Sequence, residues 1–220
     1  MKTFKYLFII MLGLMISCTQ QLETTPLASL SDQTVWTSEA NAMLALTGCY
    51  RGNIPYNATG FETDWNSYGG LIFLEFASDN ALDRRATTTG NSTLHKLSDG
   101  TLNTSNSSIL NYWVNSYSKI AKCNIFIENI DNVPVAQAIR DRMKSEARFL
   151  RAIQYFYMSQ YFQDVPLVIK SLSKEEANQV KKSTKAEITT FIVKELTESA
   201  ALLPRHKDVK ATERDRKSVV

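Results

Sequence analysis

RDRMKSEARFLRAIQYFYMSQYFQDVPLV, residues Arg140 to Val168, is the stretch whose reading decides the fold. From Ala147 onward a helix drawn through it is apolar on nearly every side: Phe149, Leu150, Ala152, Ile153, Phe156, Met158, Tyr161 and Phe162. Such a helix belongs in the middle of a packed helical body. The exception is a polar strip of Arg140, Lys144, Arg148 and Arg151, at steps of four, four and three, which puts all four on one face. Arg148 and Arg151 fall within the apolar half and, if buried, require carboxylate or carbonyl partners. Pro166 disfavours helical backbone at Val165, so the helix is predicted to stop at Asp164. At its other end, Pro134 is expected in the first turn, where proline is tolerated.

Outward from this stretch the chain is mainly helical. Thr37 or Ser38 can cap a helix running to about Arg51, with Ala40, Met43, Leu44, Thr47 and Tyr50 at helical spacing and Gly52 as the stop. Asn53 to Gly70 is turn-rich and aromatic and is predicted to be loop. Leu71 to Ala77 is a short apolar run compatible with strand or buried helix. Asp83 to Ser108, rich in Thr, Asn, Ser and Gly, is predicted to be a long surface loop. Ile109 to Ile130 is the second strong helix, carrying Trp113, Tyr117, Ile120 and Ile127. A capping box, Thr184 with Glu187, opens the last helix, which runs through Ile188, Phe191, Ile192 and Leu196 to Leu203 before Pro204. Helices paired by short connections predict an α-solenoid-like body, without a clean 34-residue repeat.

Several motifs resemble the SusD/RagB family of outer-membrane nutrient-binding lipoproteins of Bacteroidetes. They are Glu146-Ala147-Arg148-Phe149-Leu150-Arg151-Ala152, Tyr161-Phe162, Asp164-Val165-Pro166-Leu167, Gly48-Cys49-Tyr50, Ser78-Asp79-Asn80, and Trp113, Tyr117, Ile120 and Asn124 in series. Gln163 departs from the pattern, which has glycine there as a left-handed helix cap. The resemblance implies a TPR-like superhelix and covers only the N-terminal part of the much longer family chains.

The ends carry their own signals. Lys2 and Lys5 precede an apolar run, Tyr6 to Ile16, too short to span a bilayer and read as a signal peptide over 1–17. Ser17-Cys18 at its end resembles a lipobox, which makes Cys18 the expected lipidation site. Residues 18–36 are read as a tether and 37–204 as the helical domain. The tail 205–220 is expected to be non-native, because one codon choice for Asp215 to Val220 spells the start of a sequencing-library adapter. The gene is accordingly expected to be truncated. Without Lys2 and Lys5, 23 basic residues stand against 22 acidic ones, and this near-neutral balance argues against nucleic-acid binding.

Catalytic patterns are scarce. His95 and His206 lie in a polar loop and in the tail, and no metalloprotease, nucleophile-elbow, phosphate-loop or paired-cysteine motif occurs. No enzyme activity, metal or cofactor is expected. Cys49 and Cys123 are read as buried free thiols, with pairing after export as the alternative. Binding is better supported. Trp65, Tyr68, Asn66, Asp64 and Tyr56 offer flat apolar faces beside hydrogen-bonding groups, and Asp79, Asn80, Asp83, Arg84 and Arg85 supply further partners for sugar hydroxyls. Packing of the loop onto the helices is the other role open to Trp65 and Tyr68, and Trp36 and Trp113 are read as core.

The expected ligand-binding residues are therefore Trp65, Asn66, Tyr68, Asp79, Asn80, Asp83 and Arg85. The resemblance implies a lipid-anchored, surface-exposed outer-membrane protein that captures oligosaccharides and delivers them to a SusC-like TonB-dependent transporter. A peptide-binding RagB-like member and a lipid-anchored hydrolase are the alternatives.

Overall fold

The computed structural model describes residues 35–52, 64–65, 68–81, 95–101, 103 and 106–205. The chain divides into two compact units, Met1–Val35 and Trp36–Val220, and the description below concerns the second. The signal segment 1–17, Cys18 and nearly all of the tether lie outside the described residues, as does the tail from His206 on.

Three long helices and one shorter one make the body: α1 (Glu39–Arg51), α4 (Ser107–Asn129), α5 (Gln137–Phe162) and α7 (Lys185–Leu202). Two smaller helices, α2 (Tyr68–Glu75) and α3 (His95–Ser98), lie between α1 and α4. A short α6 (Lys174–Ala177) and a two-residue antiparallel pair, β1 (Val165–Pro166) with β2 (Lys182–Ser183), lie between α5 and α7.

The organising helix is α5, and α4 and α7 run antiparallel to it. Gln154 meets Ser116 of α4 at 2.8 Å and Arg151 meets Asn124 of α4 at 2.7 Å. Arg148 and Arg151 both reach Glu195 of α7. One core cluster lies between α1, α4 and the first half of α5: Leu46, Phe126, Ile130, Val133, Met143 and Ala147, with Trp36 packed against it. A second lies between α4, the second half of α5 and α7: Ile120, Tyr155, Met158, Val165, Ile188 and Ile192, with Trp113 packed against it. Trp36 and Trp113 thus pack as core residues.

The polar strip is placed as its spacing requires. Arg140 donates to the Val133 carbonyl at 3.1 Å and to Gln137 at 2.8 Å, and Lys144 pairs with Asp131 at 2.6 Å. Arg148 grips Glu195 through Nε at 3.1 Å and a terminal nitrogen at 2.7 Å, and also pairs with Glu198. Arg151, buried, donates to Glu195 at 2.6 Å, Asn124 at 2.7 Å and the Ile169 carbonyl at 3.1 Å. Those bonds satisfy most of the donors that burial would otherwise leave costly.

The segment after α5 is held by its side-chain partners. Tyr117 donates to the Pro166 carbonyl at 2.8 Å. Tyr155 accepts from the Val168 N–H at 2.7 Å, and Asn124 donates to the carbonyls of Val168 and Lys170, both at 3.1 Å. Glu128 accepts from the Ser171 N–H at 2.7 Å.

Some expectations are corrected. Pro134 lies ahead of α5, which starts at Gln137 after Ala136, so it shapes the approach rather than the first turn. α5 ends at Phe162, two residues sooner than predicted, because Gln163 takes a positive φ of 63°. The loop expected through Gly70 ends earlier, since Tyr68 opens α2. Leu71 to Glu75 is helix rather than strand. The long loop expected over 83–108 contains α3, and Asn106 caps α4 by accepting from the N–H groups of Ser108 and Ile109. The capping box of α7 forms as predicted, and Ser173 with Glu176 builds a second one on α6.

Candidate ligand-binding surface

Of the residues expected to bind ligand, Trp65 lies in an aromatic cluster that α2, α4 and the end of α5 assemble. Trp65 stacks on Tyr112 of α4, with ring centres 4.2 Å apart and planes 11° apart. Tyr161 meets Trp65 edge-on at 5.3 Å and Tyr112 at 5.7 Å. Phe162 extends the cluster to Trp113, edge-on at 5.0 Å. Offset and edge-on contacts of this kind suit the ring quadrupoles and add to the burial gain.

Trp65 is held from two sides. Its neighbour Asp64 is in a largely buried ion pair with Lys119 of α4 at 2.6 Å. Gly70 of α2 lies against the same backbone: a methyl there would stand 2.0 Å from the Asp64 carbonyl oxygen and 2.6 Å from the Trp65 Cα. Only glycine lets α2 approach this closely.

Trp65 is 6% exposed, so of its two possible roles, free stacking face and packing residue, the structure supplies the second. Its indole Nε1 is buried without an acceptor. Tyr161, at 41% exposed, offers the open ring of the cluster. Burial, and then Tyr157, push its phenol above the ordinary tyrosine range, so it stays a neutral hydroxyl at physiological pH. Sequence reading assigned Tyr161 to the core of the organising helix, because a tyrosine on an apolar face carries no mark of which side a neighbouring helix leaves open.

Asp79 and Asn80 are exposed in the turn that follows α2. Ser78 shapes this turn: its hydroxyl donates to the Glu75 carbonyl at 2.7 Å and accepts from the Asn80 N–H at 3.2 Å. Phe76 and Ala77, just before it, pack on the Trp65–Tyr112 pair, which places the turn beside the aromatic cluster. The Tyr68 backbone starts α2, and its side chain lies outside the description. Asn66, Asp83 and Arg85, with Tyr56 and Arg84, fall outside the described residues. Among the described residues no three His, Cys, Asp or Glu gather as metal ligands, and no helix is long and apolar enough to cross a membrane.

A SusD-like family model, described as starch-binding and associating with the outer membrane, matches residues 19–219. The chain belongs to the SusD-like family. Two relatives from Formosa agariphila are similar to it. SusD-like protein P38 is 27% identical over 90% of this chain and 38% of its own length. SusD-like protein P25 is 24% identical over 82% and 34%. Among solved structures, a SusD-like carbohydrate binding protein from Bacteroides fragilis is similar at a TM-score of 0.71 and 46% identity, covering 82% of this chain and 34% of that one. The chain spans between a third and two-fifths of the length of these relatives. The mainly α, SusD-like helical architecture implied by the sequence motifs is thus the fold of this chain.

Proposed function

We propose that the full-length SusD-like protein containing this chain captures oligosaccharides at the outer membrane and passes them to a SusC-like TonB-dependent transporter. The observation that carries this reading is the family match over residues 19–219, a family described as starch-binding and associating with the outer membrane. The 46% identical Bacteroides fragilis structure, a carbohydrate binding protein, supports the same ligand class. Residues 1–17 act as an export signal in this reading, and Cys18 carries the lipid that holds the protein at the cell surface.

The ligand surface is the aromatic cluster and the turn beside it. Tyr161 presents a ring to sugar C–H groups, and Trp65 underlies it. Asp79 and Asn80 meet hydroxyls, joined by Asn66, Tyr68, Asp83 and Arg85. Binding rather than catalysis is what such a surface provides, since flat rings and amides orient a sugar without moving its protons.

Stacking of one or two rings with a few hydroxyl contacts gives affinities of roughly −8 to −4 kcal/mol. Calorimetry of the full-length protein against a glycan panel tests the reading, with Tyr161→Ala expected to weaken binding by about 1 kcal/mol. Binding unchanged in both Tyr161→Ala and Trp65→Ala would place the site elsewhere. Binding of peptides but no glycan would favour a RagB-like role. Acylation of the anchor is read by palmitate labelling, which Cys18→Ala should abolish.

A further inference from the structure

Lys119 of α4 touches both ends of the segment that leads into the aromatic cluster. One end is Gly52, the cap of α1 at φ 68°. A methyl there would stand 2.8 Å from Lys119 Cγ and 2.5 Å from Asn115 Oδ1, so the lysine stem lies against the end of α1. Lys122, one turn further along α4, donates its ammonium to the Gly52 carbonyl. The other end is Asp64, whose Oδ2 accepts from the Lys119 ammonium at 2.6 Å. This pair is largely buried, with side chains 12% and 11% exposed. Residues 53–63 separate Gly52 from Asp64, enough chain to span roughly 40 Å if extended, yet one lysine side chain reaches both. Asp64 is followed by Trp65, which stacks on Tyr112 at 4.2 Å. Tyr112 and Lys119 stand seven residues apart on α4 and share a face of it. That helix therefore grips Asp64-Trp65 at two points, by a charge and by a ring. Tyr161, the open ring of the cluster, rests edge-on against Trp65 at 5.3 Å and Tyr112 at 5.7 Å, so its direction depends on where Trp65 sits.

We propose that Lys119 is the positioning residue of the ligand surface: its ion pair with Asp64 seats Trp65 and thereby aims the Tyr161 ring at a glycan. This rests on the ligand reading above. A buried pair suits the task. Its attraction does little more than offset the cost of removing two charges from water, so its effect falls on geometry more than on net stability. A charge-assisted hydrogen bond is short and directional and admits few arrangements of the loop end it holds. Lys144 and Asp131 form a pair of the same 2.6 Å length, but at 33% and 57% exposed. Lys144 stands seventeen residues before Tyr161 on α5, about 25 Å along the helix, which makes it the control.

Lys119→Met keeps the stem that lies on Gly52 and removes only the ammonium. The probes for calorimetry of the full-length protein are maltoheptaose, a starch fragment, and the other glycans of the panel. Binding is expected to be about tenfold weaker in Lys119→Met and within about threefold of the parent in Lys119→Arg. Asp64→Asn should weaken binding to a similar extent and the double variant no further, since both act through one bond. Lys144→Met should bind as the parent does. Hydrogen exchange read by mass spectrometry on the peptide holding Asp64 and Trp65 follows the seat without any glycan. It should be faster in Lys119→Met and unchanged in Lys144→Met. Unchanged affinity or unchanged exchange in Lys119→Met would overturn the proposal, as would additive losses in the double variant or a loss that Lys119→Arg does not recover. Should Lys119→Met fail to fold, Asp64→Asn carries the same comparison. If the parent binds no glycan, the ligand reading fails, and the exchange measurement alone decides whether Lys119 seats Trp65.

Discussion

Arg151 and Glu195 form a 2.6 Å ion pair in which both side chains are almost wholly buried, at 6% and 7% exposed. Glu195 offers its other oxygen to Arg148, so one carboxylate on α7 serves two guanidiniums on α5. A hydrogen bond from Arg148 to this carboxylate raises the arginine's affinity for its proton further, against the opposing effect of burial. Arg151 also lies 5.4 Å from the centre of the Phe191 ring on α7, and its bond to the Ile169 carbonyl ties α5 to the segment that follows it.

Removing that carboxylate leaves a buried guanidinium without its counter-charge. Glu195→Ala is expected to lower stability by about 3–5 kcal/mol, while the double change Arg151→Met with Glu195→Leu should recover much of the loss, because buried pairs gain little over well-packed apolar groups. Urea unfolding monitored by circular dichroism measures both. A single variant within about 1 kcal/mol of the parent would show that water reaches the pair.

Gln163 sits at φ 63° and ψ −101°, a region that glycine enters freely and other residues enter at a cost. Its side chain is exposed. Gln163→Gly is expected to stabilise the fold by about 1 kcal/mol, or roughly 2–4 °C in melting temperature. An unchanged or lower melting temperature would mean that the unfolded-chain entropy of the added glycine offsets the relief of strain.

Gly70→Ala tests how closely α2 is seated on the Trp65 backbone. The added methyl would meet backbone rather than a flexible side chain, so a loss of about 1–3 kcal/mol is expected, with a change in Trp65 fluorescence. Gly100→Ala is the control: its φ is 73° but nothing lies within 4 Å of the new methyl, so only the backbone cost of about 1 kcal/mol applies. Equal losses in the two would count against the close approach.

Acid should weaken the fold through its caps. The Glu187 carboxyl is held below the usual range, first by the Thr184 backbone N–H and then by its hydroxyl. Glu176 is lowered in the same way by Ser173 and then Lys170, and Glu198 by Arg148. A carboxyl lowered by folding stabilises when ionised, so its contribution is complete above the ordinary glutamate pKa of about 4.3 and is lost as pH falls through the lower folded value. Melting temperature should therefore hold steady near neutrality and fall below about pH 4, with a shallower acid limb in Glu187→Gln. A limb of unchanged slope would remove Glu187 from the account.

What the sequence determined by itself was the helical core. The apolar periodicity of 147–162, the arginine strip, the Thr184–Glu187 cap and the SusD-like motifs are local patterns, and local patterns carry helix position and the side that faces inward. They also showed that Arg148 and Arg151 needed acceptors. Only the tertiary structure named Glu195 as the shared one, because an exposed-looking glutamate 44 residues from Arg151 has no local mark of its partner. The same holds for the ligand surface. Trp65 lay in a loop that a sequence reads as available, yet the closeness of α2 at Gly70 and the face of Tyr112 bury it. Tyr161, read as core, is left open because no neighbouring described helix covers its outer side. The fate of an aromatic ring depends on which surfaces converge around it, and convergence is a property of packing between segments distant in the chain.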